Sequence, residues 1–185
     1  GSKAIYYFLR KKIKKNFIFL DNIDEDKLKK LKKNKGLKTA LFIIISKSGN
    51  TIETLSNVKA LQIRKYKRQN IIIISERKNN SLYLLSKKMN YFHIEHKNYI
   101  GGRYSVLSEV GMVPAYLMGI NILRLRQNLL FYLNYKKNRF LKESVIQLSS
   151  LLKSNKLKNI ILLNYIPQLK DFLYWKQQLI GESLG

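Results

Sequence analysis

The chain has 185 residues, 45% of them hydrophobic, with 36 Lys and Arg against 11 Asp and Glu for a formal net charge of +25. That is enough for one domain with a real core and part of another. With no cysteine it can build neither a disulfide framework nor a thiolate metal site, and no apolar run approaches the roughly 18 residues needed to cross a bilayer.

In chain order, "SKAIYYFLRKKIKK" has helical spacing, with Ile5, Phe8, Leu9 and Ile13 on one face. Its basic cluster follows the apolar residues and no small-residue cleavage site appears, so it does not read as a signal peptide. The expected compartment is the cytoplasm. "NFIFLD" reads as a short apolar strand. "DEDKLKKLKK" opens on acids and continues in Lys, a charge order that suits the helix macrodipole. "TALFIIIS" is a continuous apolar strand of the kind buried on both faces of a parallel sheet. A helix is predicted from Thr51 to about Lys67, with Ile52, Leu55, Val58 and Leu61 recurring every three residues. "NIIIIS" is a further buried strand, "NSLYLLSKKM" a helix and "NYFHIEHK" a fourth strand, which makes His93 and His96 ordinary strand residues.

From Ser105 to about Leu152 the pattern is helical. "KNIILLNY" and "LKDFLYWKQQLIGES" then read as a new strand and helix. The repeated strand–helix punctuation gives an α/β fold, a three-layer α/β/α arrangement with a mainly parallel sheet. The linker "KSNKLK" divides it into a first domain over residues 1–153 and the opening of a second over 154–185. Because the chain opens on a helix and stops in one, it reads as an internal piece of a longer protein.

A net charge of +25 ordinarily suggests an anionic partner such as nucleic acid. Here the basic residues are mostly Lys set among Ile and Asn, three residues with A/T-rich codons, and Arg, the better phosphate fork, is sparse. No interleaved aromatic–basic motif appears, so specific nucleic-acid binding is not expected.

Three stretches carry chemistry. "SKSGNT", residues 46–51, lies where a buried parallel strand gives way to a helix, the ligand end of such sheets. Helix-start N–H groups, the hydroxyls of Ser46, Ser48 and Thr51, and a close backbone approach at Gly49 suit a phosphate. Lys47 adds charge or its backbone N–H. A simple Thr51 cap would explain one hydroxyl and leave the others without a reason. No GxxxxGK[ST] occurs, so the loop is not a P-loop. In "NYIGGRYSVLSEVG", Gly101 and Gly102 precede Arg103. The spacing fits either a tight turn with a helix cap or a guanidinium brought to a ligand. In "YWKQQLIGESLG", Gln178 and Glu182 share a helical face, as a solvated pair or as a base with a positioning neighbour.

Together these stretches resemble the phosphoglucose isomerase family, a member of the sugar-isomerase (SIS) fold group with a flavodoxin-like architecture. "ISKSGNTIETLSN" is similar to that family's sugar-phosphate loop, "GGRYSVLSEVGMVPAYLMGI" to one of its signatures and "QQLIGESLG" to the start of another. The GGRYS–LSxVG pairing is the specific one, since the phosphate loop alone indicates only some SIS protein.

The resemblance implies that Ser46, Lys47, Ser48 and Thr51 hold a substrate phosphate and that Gly102 approaches the sugar by its backbone. It implies that Arg103 stabilises an enediolate, Gln178 positions substrate and Glu182 shuttles a proton between C1 and C2. The implied reaction interconverts glucose 6-phosphate and fructose 6-phosphate without metal, nucleotide or other cofactor. The implied assembly is a homodimer. The family's ring-opening histidine and a second lysine would follow residue 185, so the 185-residue chain is expected to be weakly active or inactive by itself. The rival readings are a non-catalytic phosphosugar-binding SIS domain, which needs neither Arg103 nor Glu182, and a basic nucleic-acid-binding protein.

Overall fold

A computed structural model of the chain describes residues 1–134, 138–154 and 159–184. Its centre is a parallel sheet of three strands in the order β1 (Phe42–Ile45), β2 (Ile71–Ser75) and β3 (Phe92–Glu95). Ile44 pairs with Ile73, and Ile73 with His93. Successive side chains on a strand point to opposite faces, yet Ile71, Ile73 and Ile74 of the central strand are all 0% exposed. Both faces are therefore covered, as the unbroken isoleucine run requires.

The crossovers are α3 (Ile52–Ala60) between β1 and β2, and α4 (Ser81–Met89) between β2 and β3. Leu61, Ile63 and Leu82 from these crossovers join Ile44, Ile71 and Ile73 in the main core, with Leu28 of α2 (Glu25–Lys32). A second core joins Ile5 of α1 (Ser2–Phe8) to Val106, Met112 and Ala115. The α/β class, with helices flanking a parallel sheet, is as expected, and the arrangement is compatible with three α/β/α layers.

Several local expectations give way. "NFIFLD" forms no strand; Phe17 and Phe19 pack on Tyr6 at ring-centroid distances of 5.8 and 5.3 Å. Its two phenylalanines join an aromatic cluster instead of a sheet edge, while Ile18 is exposed and Leu20 packs on the main core. The first helix stops at Phe8 and continues as a 3-10 turn over Arg10–Lys12. The helix that follows β1 stops at Ala60, and Gln62 then turns left-handed at φ 52° before two 3-10 turns.

The long helical stretch divides into α5 (Glu109–Leu117), α6 (Ile122–Arg126), α7 (Leu129–Leu133) and α8 (Arg139–Lys153). Residues 159–166 of "KNIILLNY" and its continuation form no strand, because nothing among the described residues pairs with them. Residues 155–158 of the linker lie outside the described residues. The last helix, α9 (Lys170–Leu184), packs on α1, with the Phe8 and Phe172 rings 6.2 Å apart and Lys3 3.6 Å from Asp171. No helix among the described residues is long and apolar enough to cross a membrane.

Candidate active site

Polar residues gather where the three strands end. Ser46 follows β1, Ser75 ends β2 with Glu76 next to it, and His96 follows β3; all four are buried. Carboxyl ends of parallel strands are where open α/β sheets bind ligands, so burying polar groups there needs partners. The Ser46 and Thr51 hydroxyls bond at 2.7 Å, and Ser46 Oγ accepts the Gly49 N–H at 3.1 Å. Ser48 Oγ accepts the Asn50 N–H at 3.2 Å, and Asn50 Oδ1 accepts the Ser81 N–H at 2.9 Å.

Gly49 has φ +68°, and a Cβ there would lie 1.8 Å from Asn80 Oδ1. The glycine is therefore required by both its backbone angle and its neighbour. Asn80 caps α4 through the Tyr83 N–H and donates to the Glu76 carbonyl, each at 2.9 Å. In contrast, Thr51 stands at the N-cap of α3 but makes no side-chain cap bond. The capping explanation for its hydroxyl fails, and the first-turn N–H groups of α3 keep their anion-favouring character. Ser48 and Thr51 are exposed while Ser46 is buried, so Ser46 braces the loop from beneath.

Lys47 does not point its ammonium into solvent. Nζ donates to the carbonyls of Ile100, at 2.8 Å, and Asn98, at 3.1 Å, and lies 3.8 Å from Glu76 Oε1. Glu76 also takes Lys78 at 2.9 Å. Lys78 first, and Lys47 after it, hold the Glu76 carboxyl below its ordinary value against the opposing effect of burial.

The segment that Lys47 grips runs directly into Gly101 and a 3-10 turn over Gly102–Leu107. A Cβ on Gly102 would meet nothing within 4 Å, so the backbone there faces open space. The turn is fastened by Ser105 Oγ donating to the Gly102 carbonyl at 2.6 Å, and by Trp175 Nε1 donating to the Arg103 carbonyl at 2.7 Å. Gly111 lets α5 close on this turn, since a Cβ at that position would lie 1.8 Å from the Val106 carbonyl oxygen.

Trp175 belongs to α9, and the same helix brings Glu182 to Arg103. Arg103 Nη1 donates to Glu182 Oε2 at 3.3 Å, and Gln178 Nε2 donates to Glu182 Oε1 at 2.8 Å. The carboxylate thus has one guanidinium and one amide partner while its side chain stays 47% exposed. Arg103 Nε is buried with no hydrogen-bond partner among the described residues. The Tyr104 hydroxyl foremost, with the Glu182 carboxylate, raises the Arg103 pKa further above its already high value. Tyr104 bonds Ser183 at 3.0 Å; that bond, then Arg103, lowers its phenol below the ordinary value.

The structure therefore brings Arg103, Gln178 and Glu182 into one hydrogen-bonded group, and gathers Ser46, Ser48 and Thr51 in one loop. Lys47 ties that loop to the segment preceding Gly102. Sequence reasoning passed over Glu76, Asn80, Tyr104, Trp175 and Ser183, and took His96 for an ordinary strand residue. The asparagine preceding "SLYLL" carried a readable cap signal, whereas Trp175 and Ser183 are recruited by a helix docking across more than 70 residues of chain. His93 is the strand residue expected, its Nε2 3.0 Å from Ser75 Oγ, and burial pulls its pKa down. His96 stands just past the strand and is buried at 1% exposure.

A family model described as phosphoglucose isomerase matches residues 2–160. The chain is 31% identical to the glucose-6-phosphate isomerase of Methanocaldococcus jannaschii, in a match covering 100% of this chain and 47% of that protein. It is 34% identical to the probable glucose-6-phosphate isomerase of Methanococcus maripaludis, over 90% of this chain and 40% of that one. The Acholeplasma laidlawii glucose-6-phosphate isomerase matches at 31% identity over 100% of this chain and 47% of its own length. The chain spans about half the length of these curated relatives, or less. Among solved structures, a hypothetical protein from Thermus thermophilus shares the fold, with a TM-score of 0.59 and 24% identity over 66% of this chain and 31% of that one. With more than half of its residues matched by the family model, the chain belongs to the phosphoglucose isomerase family.

Proposed function

We propose that this chain carries the first phosphosugar site and the proton-shuttling carboxylate of a glucose-6-phosphate isomerase, acting in the cytoplasm as a homodimer. The observation that carries the reading is the Glu182 carboxylate held between the Arg103 guanidinium and the Gln178 amide. The names of the relatives support the same reaction.

In this reading the substrate phosphate lies at the first turn of α3, on the Ser48 and Thr51 hydroxyls and the Lys47 backbone N–H, with Ser46 beneath. Glu182 removes the proton at C2 of the open-chain aldose and returns it to C1, while the O2 hydroxyl proton passes to O1, which yields the ketose. As that proton leaves, negative charge grows on the enediolate oxygens. Arg103, a permanent cation already beside the carboxylate, meets that charge with little reorganisation. Gln178 fixes the carboxylate rotamer, which keeps the base aligned for transfer between adjacent carbons. The open backbone at Gly102 leaves room for the sugar beside Arg103.

The direct test is thermal stabilisation by fructose 6-phosphate against fructose plus inorganic phosphate, at about 0.3 M salt, where the screening length is only several ångström. A ligand that binds only the native state raises the melting point. The expected result is a shift with the sugar phosphate that is lost in Ser48→Ala. In the protein expressed from its complete reading frame, turnover should vanish in Glu182→Gln while that shift remains. Stabilisation by any polyanion alike, lost with added salt, would sink the proposal in favour of basic-surface binding.

A further inference from the structure

One buried group near the site is used by none of these steps. The His96 ring, 1% exposed, has Nδ1 against Glu109 Oε1 and Nε2 3.1 Å from the carbonyl oxygen of Ile100. A carbonyl oxygen carries no proton, so Nε2 is the donor. The same carbonyl accepts from Lys47 Nζ at 2.8 Å. Two donors from different strand ends therefore converge on one oxygen, one residue before Gly101 and three before Arg103.

Each donor is itself held. Glu109, the first residue of α5, fixes the imidazole. Lys47 leaves the end of β1 and lies beside Glu76, which directly follows β2. His96 is anchored by its own backbone N–H on the Ser75 carbonyl at 2.8 Å. Carbonyl 100 is thus referenced to all three strands of the sheet, whereas beyond it the loop rests on α9 through Trp175.

We propose that His96 and the Lys47 side chain are positioning residues, a clamp on the Ile100 carbonyl that sets where Gly102 and Arg103 stand for the isomerisation. This rests on the functional reading above. It also reassigns the Lys47 ammonium from the substrate phosphate to the loop backbone. The phosphate loop and the Arg103 turn are then one mechanical unit, since the residue next to Ser46 and Ser48 grips the approach to Arg103. Losing either donor frees the turn and moves the guanidinium relative to Glu182. Misplacement of that kind costs rate much more than it costs binding.

The test uses the protein expressed from its complete reading frame. His96→Leu removes the donor at similar bulk; His96→Gln keeps an amide N–H that reaches the same carbonyl. Lys47→Met removes the ammonium and keeps the stem. The clamp predicts that His96→Leu and Lys47→Met each lower kcat by about tenfold or more with KM for fructose 6-phosphate changed less than about threefold, and that His96→Gln recovers most of the loss. Fructose 6-phosphate should raise the melting point of Lys47→Met as it does that of the unaltered protein. A KM rise in Lys47→Met with kcat kept would overturn the reassignment, because it would put the ammonium on the phosphate. Unchanged kcat in His96→Leu, or no recovery in His96→Gln, would overturn the clamp.

Amide hydrogen exchange supplies an arm independent of turnover. Gly102 and Arg103 amides should exchange faster in His96→Leu and in Lys47→Met, and equal exchange rates would again overturn the clamp. An unaltered protein without isomerase activity but with this exchange response would overturn the functional reading and leave the mechanical coupling standing.

Discussion

"NIIIIS" and "KNIILLNY" are nearly interchangeable as sequence, and the molecule treats them differently. In the first, Ile71, Ile73 and Ile74 are 0% exposed between two paired strands. In the second, Ile161 is 79%, Leu163 70% and Tyr165 86% exposed, with no strand partner among the described residues. A β-strand has no internal hydrogen bonds of its own, so an apolar run becomes one only when a neighbour accepts its N–H groups and covers its side chains. What a residue contributes here depends on whether something stands beside it.

The largest expected contrast is therefore between equal truncations in the two runs. Ile73→Ala should cost about 2–5 kcal/mol by creating a cavity in the main core, whereas Ile161→Ala should change stability by less than about 0.5 kcal/mol. Denaturant titrations of the two variants would erase the contrast if the losses were equal.

The glycines of the site sharpen it. Gly49→Ala forces a left-handed alanine and places its Cβ 1.8 Å from Asn80 Oδ1, and should cost about 1–3 kcal/mol. Gly102→Ala meets nothing within 4 Å and should cost under about 1 kcal/mol, while abolishing sugar-phosphate stabilisation if the open backbone is where the sugar lies. A Gly102→Ala protein that bound normally would place the sugar elsewhere.

Helix starts give the next contrast. Asn80→Ala removes a cap and a buried hydrogen bond and should cost about 1–2 kcal/mol. Thr51→Ala removes no cap and should cost less than that, its main effect appearing in phosphate affinity.

The smallest effect expected is pH dependence from Glu76. Its folded pKa lies below the ordinary value of 4.5. The pair with Lys78 therefore adds stability that is complete well above that value and is lost as the pH falls through the lowered folded pKa. Because Lys78 is exposed, the gain is modest. Stability measured between about pH 6 and 3 should fall less steeply in Lys78→Met. Identical slopes would show that the pair does not matter to folding.

Part of the candidate site was legible in the chain. "SKSGNT" after a buried run identified a strand exit, whereas spacing left Arg103, Gln178 and Glu182 open and only the resemblance singled them out. Local physics accounts for this: hydrophobic runs, helical periodicity and glycine placement act within a few residues. What the chain did not disclose was which of these features would find partners. The Thr51 hydroxyl turned from the helix start to Ser46, the Lys47 ammonium turned to carbonyls 51 and 53 residues away, and the phenylalanines of "NFIFLD" went to an aromatic cluster in place of a sheet.

By itself, then, the sequence determined the α/β alternation, the main buried strands and the residue types at the ligand end of the sheet. Tertiary structure decided which apolar runs became strands, where Lys47 and His96 spend their donors, and that a C-terminal helix sets Glu182 against Arg103. Hydrogen bonds and apolar burial are satisfied by whatever lies nearest in space. Along the chain, Arg103 and Glu182 are separated by 79 positions, and only the packing of α9 on α1 and the Arg103 turn brings them together.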